Sequence, residues 1–471
     1  MNRLSSIKKF NTPIEQATTS SLEALKAYSL ARQNLTRAEY AASVPLLQQA
    51  TSLDPNFAMA YATLATVYSD MQGNYDAQVR GNMEKAFALR NRVSEPERLY
   101  ISSHYYQFVT ADLLKAAEVY RLWEQTYPRD SVPWIDLGLI YSNLGQTQKA
   151  RQQLETALRL DPDNLLALGD LASGYLSEGR FAEAKALMQK ALIKQPNNAQ
   201  ALEFLSEVAF AQGDRAALQH NLQILRSQAD PLWVLNFESA MAAFEGRLAQ
   251  VRKLNKQIVA STPAQQSKAA AAGLLAQQAN TEAVFGELSA ARADATRALA
   301  LEPDNYNVET FAAGALAFLG DSRAEKLRDD LSKRHPDDTF LNAIWLPTTR
   351  AALALANHHP EQALTLLQPV APYRYGSPYF YLSGLAHFAA GQAKQAAGDF
   401  QSILDRRGAF TMDPTYPLAE LGLARARVKE GDKAGARTAY QNFFAMWKDA
   451  NPDIPILRQA KAEYARLSSS H

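Results

Sequence analysis

The chain of 471 residues has no cysteine, no excess of charge of one sign and no long apolar run. Without cysteine it cannot form a disulfide, a thiolate metal site, a cysteine nucleophile or a lipid anchor attached through that residue. Its formal net charge of +1 lacks the positive excess of a nucleic-acid-binding surface, so we expect no nucleic acid partner. The longest apolar run, Phe311 to Leu319, is far shorter than the roughly 18 residues of a membrane span.

The beginning of the chain also lacks the features of a targeting segment. Met1 to Gln16 is polar, carries Arg3, Lys8 and Lys9, and contains no apolar stretch of about 7–15 residues like that of a signal peptide. As written, the chain is therefore expected to be a cytoplasmic protein without a membrane segment.

None of the common catalytic or cofactor motifs is present: there is no GxSxG, HExxH, P-loop or GxGxxG sequence. The pair His358–His359 could suggest a metal site, but it lacks further ligands at suitable spacing. A loop bounded by Pro360 is the preferred interpretation of that pair. We predict a protein with no catalytic residue, no metal and no cofactor, which is not an enzyme.

What the sequence does contain is a repeat of thirty-four residues. This spacing separates the members of three sets, namely Pro128, Pro162 and Pro196; Ala116, Ala150 and Ala184; and Gly145, Gly179 and Gly213. A period of this length is that of the tetratricopeptide repeat (TPR), a helix–turn–helix unit. It predicts an all-α TPR solenoid, a right-handed superhelix of about twelve antiparallel helix pairs with a C-terminal capping helix. Each pair is expected to contact only its neighbours.

Residues 131–164 form the clearest repeat. Gly145 is placed to end the first helix, because glycine tolerates a positive φ. Pro162 is placed to stop the second helix, because proline cannot continue one. The small residues Gly138 and Ala150 are predicted at the crossing of the two helices, where a larger side chain would push the axes apart.

The same pattern, followed along the chain, divides it into five parts. Ser20 with Glu23, and Ser94 with Glu97, have the spacing of capping boxes at helix starts. The predicted parts are a linker or disordered N-terminus over 1–19, an N-terminal TPR array over 20–230, degenerate TPR-like repeats over 231–371, C-terminal TPR repeats over 372–450, and a capping helix and tail over 451–471.

Six stretches resemble the C-terminal TPR region of bacterial serine/threonine protein kinases of the Acidobacteria type and of related winged-helix regulators. They are SLEALKAYSLA (21–31), LDPNFAMAYA (53–62), VSEPERLYISSHYYQF (93–108), TYPRDSVPW (126–134), WLPTTRAALALA (345–356) and FFAMWKDANPDIPIL (443–457). The resemblance implies a region that senses or docks, linked in a parent protein to a kinase or DNA-binding domain. The kinase motifs are absent here, so no kinase activity is implied for this chain. In a membrane kinase the region could lie on the periplasmic side.

In TPR geometry the first helix of each pair lines a concave groove, and aromatic side chains there can each bury about 150–250 Å² against a partner. The inward positions predicted to bind a partner are Ile101, Tyr105, Phe108, Ile135, Leu139, Tyr381, Leu385 and Phe388. The alternative is that these residues pack against neighbouring helices. A lysine–asparagine clamp for a partner's terminal carboxylate is excluded, because Asp136 at a matching position would repel it.

Two further features have alternative interpretations. His104 could titrate or bind an anion, although a packed helix residue is preferred. The aromatic stretch from Arg374 to Tyr381 could close on a ligand, or it could be a solvated linker with one buried tyrosine.

The sequence favours two functions. The first is a non-catalytic scaffold that binds a peptide or protein partner in its groove. The second is a sensory module that responds to a small ligand or protein signal and reports to a linked kinase or DNA-binding domain.

Overall fold

A computed structural model of the chain describes residues 19–35, 39–71, 76–228, 231–376 and 378–469. Throughout these ranges the regular structure is helical, without a β-strand, and consists of twelve consecutive helix pairs followed by one last helix. The predicted all-α TPR solenoid is therefore confirmed. Apart from Thr19, the linker predicted over 1–19 lies outside the described residues.

The α-helices follow one another with short turns. The first fourteen are α1 (Leu22–Leu35), α2 (Tyr40–Leu53), α3 (Ala58–Asp70), α4 (Asp76–Leu89), α5 (Glu95–Phe108), α6 (Leu113–Thr126), α7 (Val132–Asn143), α8 (Thr147–Leu160), α9 (Leu165–Ser177), α10 (Phe181–Lys194), α11 (Ala199–Gln212), α12 (Arg215–Gln228), α13 (Pro231–Phe244) and α14 (Leu248–Ser261).

The remaining helices include one that is preceded by a π-helical segment. They are α15 (Ala264–Phe285), α16 (Leu288–Leu301), α17 (Tyr306–Phe318), α18 (Arg323–Arg334), the π-helix Leu341–Trp345 leading into α19 (Leu346–Ala356), α20 (Pro360–Leu367), α21 (Tyr379–Ala389), α22 (Ala393–Leu404), α23 (Thr415–Glu430), α24 (Lys433–Met446) and α25 (Pro455–Ser469).

The chain divides into two compact units. The first is Met1–Leu137 together with Asp337–Thr339, and the second is Gly138–Pro336 together with Phe340–His471. The first unit buries small and apolar side chains of α1 to α5 in a shared cluster. The second unit has a core cluster that joins α21 to α25 and also includes Leu248 and Phe285.

Local details follow the sequence closely within each repeat. Gly145 has φ +70° and ends the turn after α7, as predicted. A Cβ on Gly138 would lie 2.8 Å from Cγ of Leu154 on α8, so this glycine does sit at a close helix crossing. The first cap is shifted by one residue from the prediction, because Ser21 rather than Ser20 accepts from a backbone N–H, that of Ala24, at 3.2 Å.

The expectation that each pair contacts only its neighbours is wrong in the second unit. The backbone N–H of Asn451 donates to the carbonyl oxygen of Gly246 at 3.1 Å, and the Asn451 side chain accepts from the N–H of Ala249 at 2.9 Å. The rings of Phe285 and Trp447 meet edge to face at 4.7 Å. A Cβ on Gly246 would lie 2.9 Å from Trp447, so a glycine is required there both for its φ of +71° and for this approach.

Candidate functional site

The predicted groove residues of the first unit divide into buried and half-buried side chains. Ile101 is fully buried and Ile135 is 6% exposed, so both belong to the packed interior. Tyr105 and Phe108 are half-buried, and the Tyr105 ring stacks on Phe87 with centroids 3.7 Å apart. Tyr105 and Phe108 therefore remain the predicted contact residues of this unit.

In the second unit, Tyr381 is 6% exposed, whereas Leu139, Leu385 and Phe388 are half-buried. The ammonium of Lys429 lies 3.9 Å from the centroid of the Phe388 ring, which covers one face of that ring. Of the aromatic stretch 374–381, the side chains of 374–377 lie outside those that the structure describes. Among these predicted groove residues, Tyr381 is the one that lines the cavity described next.

A cavity of about 390 Å³ lies along the first helices of four consecutive pairs in the second unit. Binding cavities for small ligands commonly have volumes of about 300–1,000 Å³. Its lining residues come from α15, α17, α19 and α21, with the loop before α23: Gln277, Asn280, Thr281, Val284, Thr310, Phe311, Gly314, Phe318, Trp345, Thr348, Thr349, Ala352, Pro378, Tyr381, Leu382, Asp413, Pro414 and Thr415.

Helical spacing explains why each helix contributes several of these residues. On α17, Phe311, Gly314 and Phe318 are separated by three and four positions and so share one face. At the start of α19 the backbone N–H of Leu346 donates to the carbonyl of Leu341, five residues back, in a π-helical turn. The following Pro347 has no N–H to continue the regular pattern. This turn places Trp345 in the cavity wall, and π-turns are frequent at functional sites.

Three polar side chains of the cavity already use hydrogen-bond donors within the protein. Thr348 and Thr349 donate their hydroxyl protons to the carbonyl oxygens of Ile344 and Trp345, at 2.8 and 2.7 Å. The amide nitrogen of Asn280 donates to the carbonyl oxygen of Phe311 at 2.6 Å. With these donors used, the threonine and asparagine oxygens keep acceptor capacity. A ligand here would bring apolar surface and a hydrogen-bond donor.

Asp413 supplies the one carboxylate among the lining residues. It accepts hydrogen bonds from the backbone N–H and the hydroxyl of Thr415, both at 2.7 Å. Burial nevertheless raises the pKa of the Asp413 carboxyl above its usual range. A partner that carries a donor or a positive charge would stabilise the ionised form of this group.

His104, weighed as a titrating or anion-binding residue, is a packed residue, as preferred from the sequence. It is 5% exposed, its ring stacks on Tyr100 at 4.0 Å, and its Nδ1 lies 2.8 Å from the Tyr100 carbonyl oxygen. Burial lowers the pKa of His104 to about 4, so it is neutral at neutral pH. His358, with φ +64°, lies in the turn that precedes Pro360, which agrees with the loop interpretation.

One cluster that was not predicted from the sequence contains the residue types of a hydrolase triad. Ser383 donates to Oδ2 of Asp399 at 2.6 Å, and Nδ1 of His387 lies 2.7 Å from that same oxygen. In a triad the histidine uses one nitrogen for the aspartate and the other for the serine. Here Ser383 is nearest to the nitrogen that already faces Asp399, at 3.4 Å. The arrangement is that of a polar bridge between α21 and α22.

Most of the cavity residues, including Phe311, Phe318 and Trp345, were not predicted from the sequence. The signal that points to them is the same inward spacing on first helices, applied to α17 and α19. The π-turn that positions Trp345 has no clear sequence signature apart from Pro347.

Comparison with known proteins agrees with the helical repeat. Residues 141–206 match the model of a tetratricopeptide repeat family. In a search of curated proteins, no sequence matches the chain.

Three solved structures illustrate the structural likeness. PilW, a widely conserved type IV pilus biogenesis factor, is 19% identical, with 44% of this chain and 94% of that chain covered and a TM-score of 0.31. Pseudomonas aeruginosa pilF is 21% identical, with 46% and 96% covered and a TM-score of 0.30. The APC/C hetero-tetramer Cut9–Hcn1 is 13% identical, with 96% and 98% covered and a TM-score of 0.29. Likenesses of this size say nothing about a partner.

Among the described residues, none of the helices combines the length and the apolar character needed to cross a bilayer.

Proposed function

We propose that this protein is a non-catalytic scaffold that binds a peptide or protein segment, with one side chain of the partner that has an apolar body inserted between Phe311, Trp345 and Tyr381. The observation that carries the proposal is the 390 Å³ cavity along the first helices of four consecutive pairs. First helices are the surface that TPR proteins offer to extended peptides and helices.

The chemistry of the cavity defines the partner further. Aromatic rings provide apolar contact area, and residues of this type dominate binding energy at interfaces. Threonine oxygens and Asp413 accept hydrogen bonds, so the inserted group is expected to carry a donor near its end. Tyrosine, tryptophan and lysine side chains combine an apolar body with such a donor.

Selection from a displayed library of random peptides tests the proposal. The chain and its Trp345→Ala variant are used as parallel baits, and enriched peptides are sequenced. Peptides that bind through the cavity should be enriched for an aromatic or lysine anchor and should be lost with Trp345→Ala. An interface anchor typically contributes about 2 kcal/mol or more, which is more than tenfold in affinity.

Trp233→Ala is the matched control for that experiment. Trp233 is a half-buried tryptophan of the second unit that stacks on Phe237 at 4.9 Å and does not line the cavity. Enriched peptides should still bind this variant. Peptides that bind Trp345→Ala as tightly as the unaltered chain would refute the cavity as the docking site.

The second candidate is a sensory module that takes a small ligand in the same cavity. It is favoured by the volume of the cavity and by the few convergent acceptors in its wall. The resemblance to kinase-linked repeats makes a kinase or DNA-binding domain in a parent protein its expected output. A screen of small compounds by thermal shift separates the two candidates, because a ligand that raises the melting temperature of the chain but not of Trp345→Ala supports the sensory role.

A further inference from the structure

A second and larger cavity, of about 900 Å³, lies elsewhere in the second unit. Its walls come from α11, α12 and α13, from the end of α24 and from Arg407. Phe210, Phe244, Leu218, Leu222 and Met241 give it an apolar surface. It shares no lining residue with the cavity of the proposed function.

Arg407 is the unusual residue of this cavity. Its guanidinium carbon lies 4.8 Å from the ring centroids of both Phe244 and Tyr416 and 5.4 Å from that of Phe210. The faces of these rings attract the guanidinium cation and restrain its orientation. The side chain is half-buried, and burial lowers the pKa of Arg407 to about 10, so it stays charged at neutral pH.

The hydrogen bonds of Arg407 leave part of the guanidinium unused. Nη1 donates to the carbonyl oxygens of Phe410 and Thr411, at 2.9 and 2.5 Å. In the described part of the chain, Nε and Nη2 donate to no protein acceptor, and no carboxylate lies within ion-pairing distance of the group. A charge removed from water without a counterion is costly, which makes this position unusual.

The carboxylates that line the cavity are engaged elsewhere. Glu238 pairs with Arg226, and Glu245 pairs with Arg247 at 2.6 Å. Asp214 accepts from the N–H of Ala217 at the start of α12, at 3.0 Å.

The remaining charges at the rim do not change the balance. Asp449 lies 4.0 Å from Lys448, and Arg215 is exposed. Five cationic and four anionic side chains line the cavity, so the surplus is one positive charge.

We propose that this cavity binds an organic oxyanion, a carboxylate or phosphate attached to an apolar body. The oxyanion would accept from Nε and Nη2 of Arg407 in the planar, two-point manner that arginine favours. The apolar body would lie on Phe210, Phe244 and Leu222. This site shares no lining residue with the 390 Å³ cavity of the proposed function. The oxyanion proposal therefore does not depend on the proposed function.

Isothermal titration calorimetry with four probes tests the assignment. Phenylacetate and phenyl phosphate carry the charge and the apolar body, inorganic phosphate carries the charge alone, and phenylacetamide is the neutral counterpart. The two complete probes should bind, and phenylacetamide should bind on the order of tenfold more weakly or worse. The tighter of the two complete probes identifies the natural oxyanion as a carboxylate or a phosphate.

The affinities of substituted chains for the same probes test where these probes bind. Arg407→Gln should weaken phenylacetate and phenyl phosphate by about tenfold or more. Arg406→Gln is the control, because Arg406 lies over Phe380 and does not line the cavity, and it should change neither affinity.

Met241→Trp places a larger side chain in the cavity wall and leaves Arg407 unchanged. This second variant tests the site even if Arg407→Gln fails to fold. It should weaken both complete probes as well. The proposal is wrong if neither complete probe binds the unaltered chain, if phenylacetamide binds as well as phenylacetate, or if folded Arg407→Gln or Met241→Trp keeps full affinity.

Discussion

The indole nitrogen of Trp447 donates a hydrogen bond to the backbone carbonyl oxygen of Phe244, 2.9 Å away and 203 residues earlier in the chain. Trp447 is 2% exposed, so the bond is sheltered from water. Together with the Asn451 bonds to Gly246 and Ala249, it joins the end of α13 to the end of α24. The second unit is therefore held by contacts between distant repeats as well as between neighbours.

Trp447→Phe should destabilise the second unit. The substitution keeps an aromatic ring but leaves the Phe244 carbonyl without this donor, and an unsatisfied buried group costs about 1–3 kcal/mol. Urea unfolding followed by circular dichroism measures the change. Trp123→Phe is the control, because the buried Trp123 indole N–H has no acceptor in the described part of the chain. Equal losses for the two variants would argue against the hydrogen bond as the cause.

Gly384→Ala should also destabilise the chain, because the Phe400 ring already occupies the space. A Cβ on Gly384 would lie 2.7 Å from that ring, and a Cβ on Gly422 would lie 2.5 Å from the same ring. Overpacking of this kind costs about 1–3 kcal/mol. Gly398→Ala is the contrasting case, since nothing lies within 4 Å and alanine favours a helix by about 0.8–1.0 kcal/mol. Thermal melts should move in opposite directions, and a stabilised Gly384→Ala would contradict the packing described.

Glu207 should make stability depend on pH. Burial alone raises the pKa of Glu207 to about 7, well above the ordinary value of 4.5. Between about pH 4.5 and about pH 7 the folded state therefore keeps a proton that the unfolded state has lost. The free energy of unfolding falls as the pH rises through this range. Relative to Glu207→Gln, the unaltered chain should lose about 1–3 kcal/mol of unfolding free energy between pH 5 and pH 8.

Unfolding in urea at several pH values measures this difference. Glu430→Gln, at an exposed position on α23, should leave the pH dependence unchanged. A Glu207→Gln variant whose stability follows the same pH curve as the unaltered chain would show that Glu207 is not the group responsible.

The repeats were predictable because their causes are local. Gly145 and Pro162 end helices through their own backbone chemistry, and Gly138 reveals a close crossing by its size. The bonds of Trp447 and Asn451 were not predictable, because they depend on where two repeats about 200 residues apart come to lie. The predicted position of the first cap was wrong by one residue. Ser20 and Ser21 offer the same hydroxyl group, and the sequence does not show which of them accepts from the backbone.

The candidate site was predictable only in part. Inward spacing on a first helix identified Tyr381, which lines the cavity, but also Ile101, which is fully buried. The spacing determines which face of a helix a residue lies on. It does not determine how deeply neighbouring helices bury that residue. Trp345 depends on a π-turn, whose shift in register a regular helical period does not include.

The most direct test of the proposed function is the affinity of a selected peptide for four variants, measured by fluorescence anisotropy. Trp345→Ala and Phe311→Ala alter the cavity, whereas Tyr105→Ala and Phe108→Ala alter the predicted contacts of the first unit. Docking in the cavity predicts a loss of more than about tenfold for the first two and little change for the others. Unchanged affinity for Trp345→Ala and Phe311→Ala, with both variants folded, would contradict it.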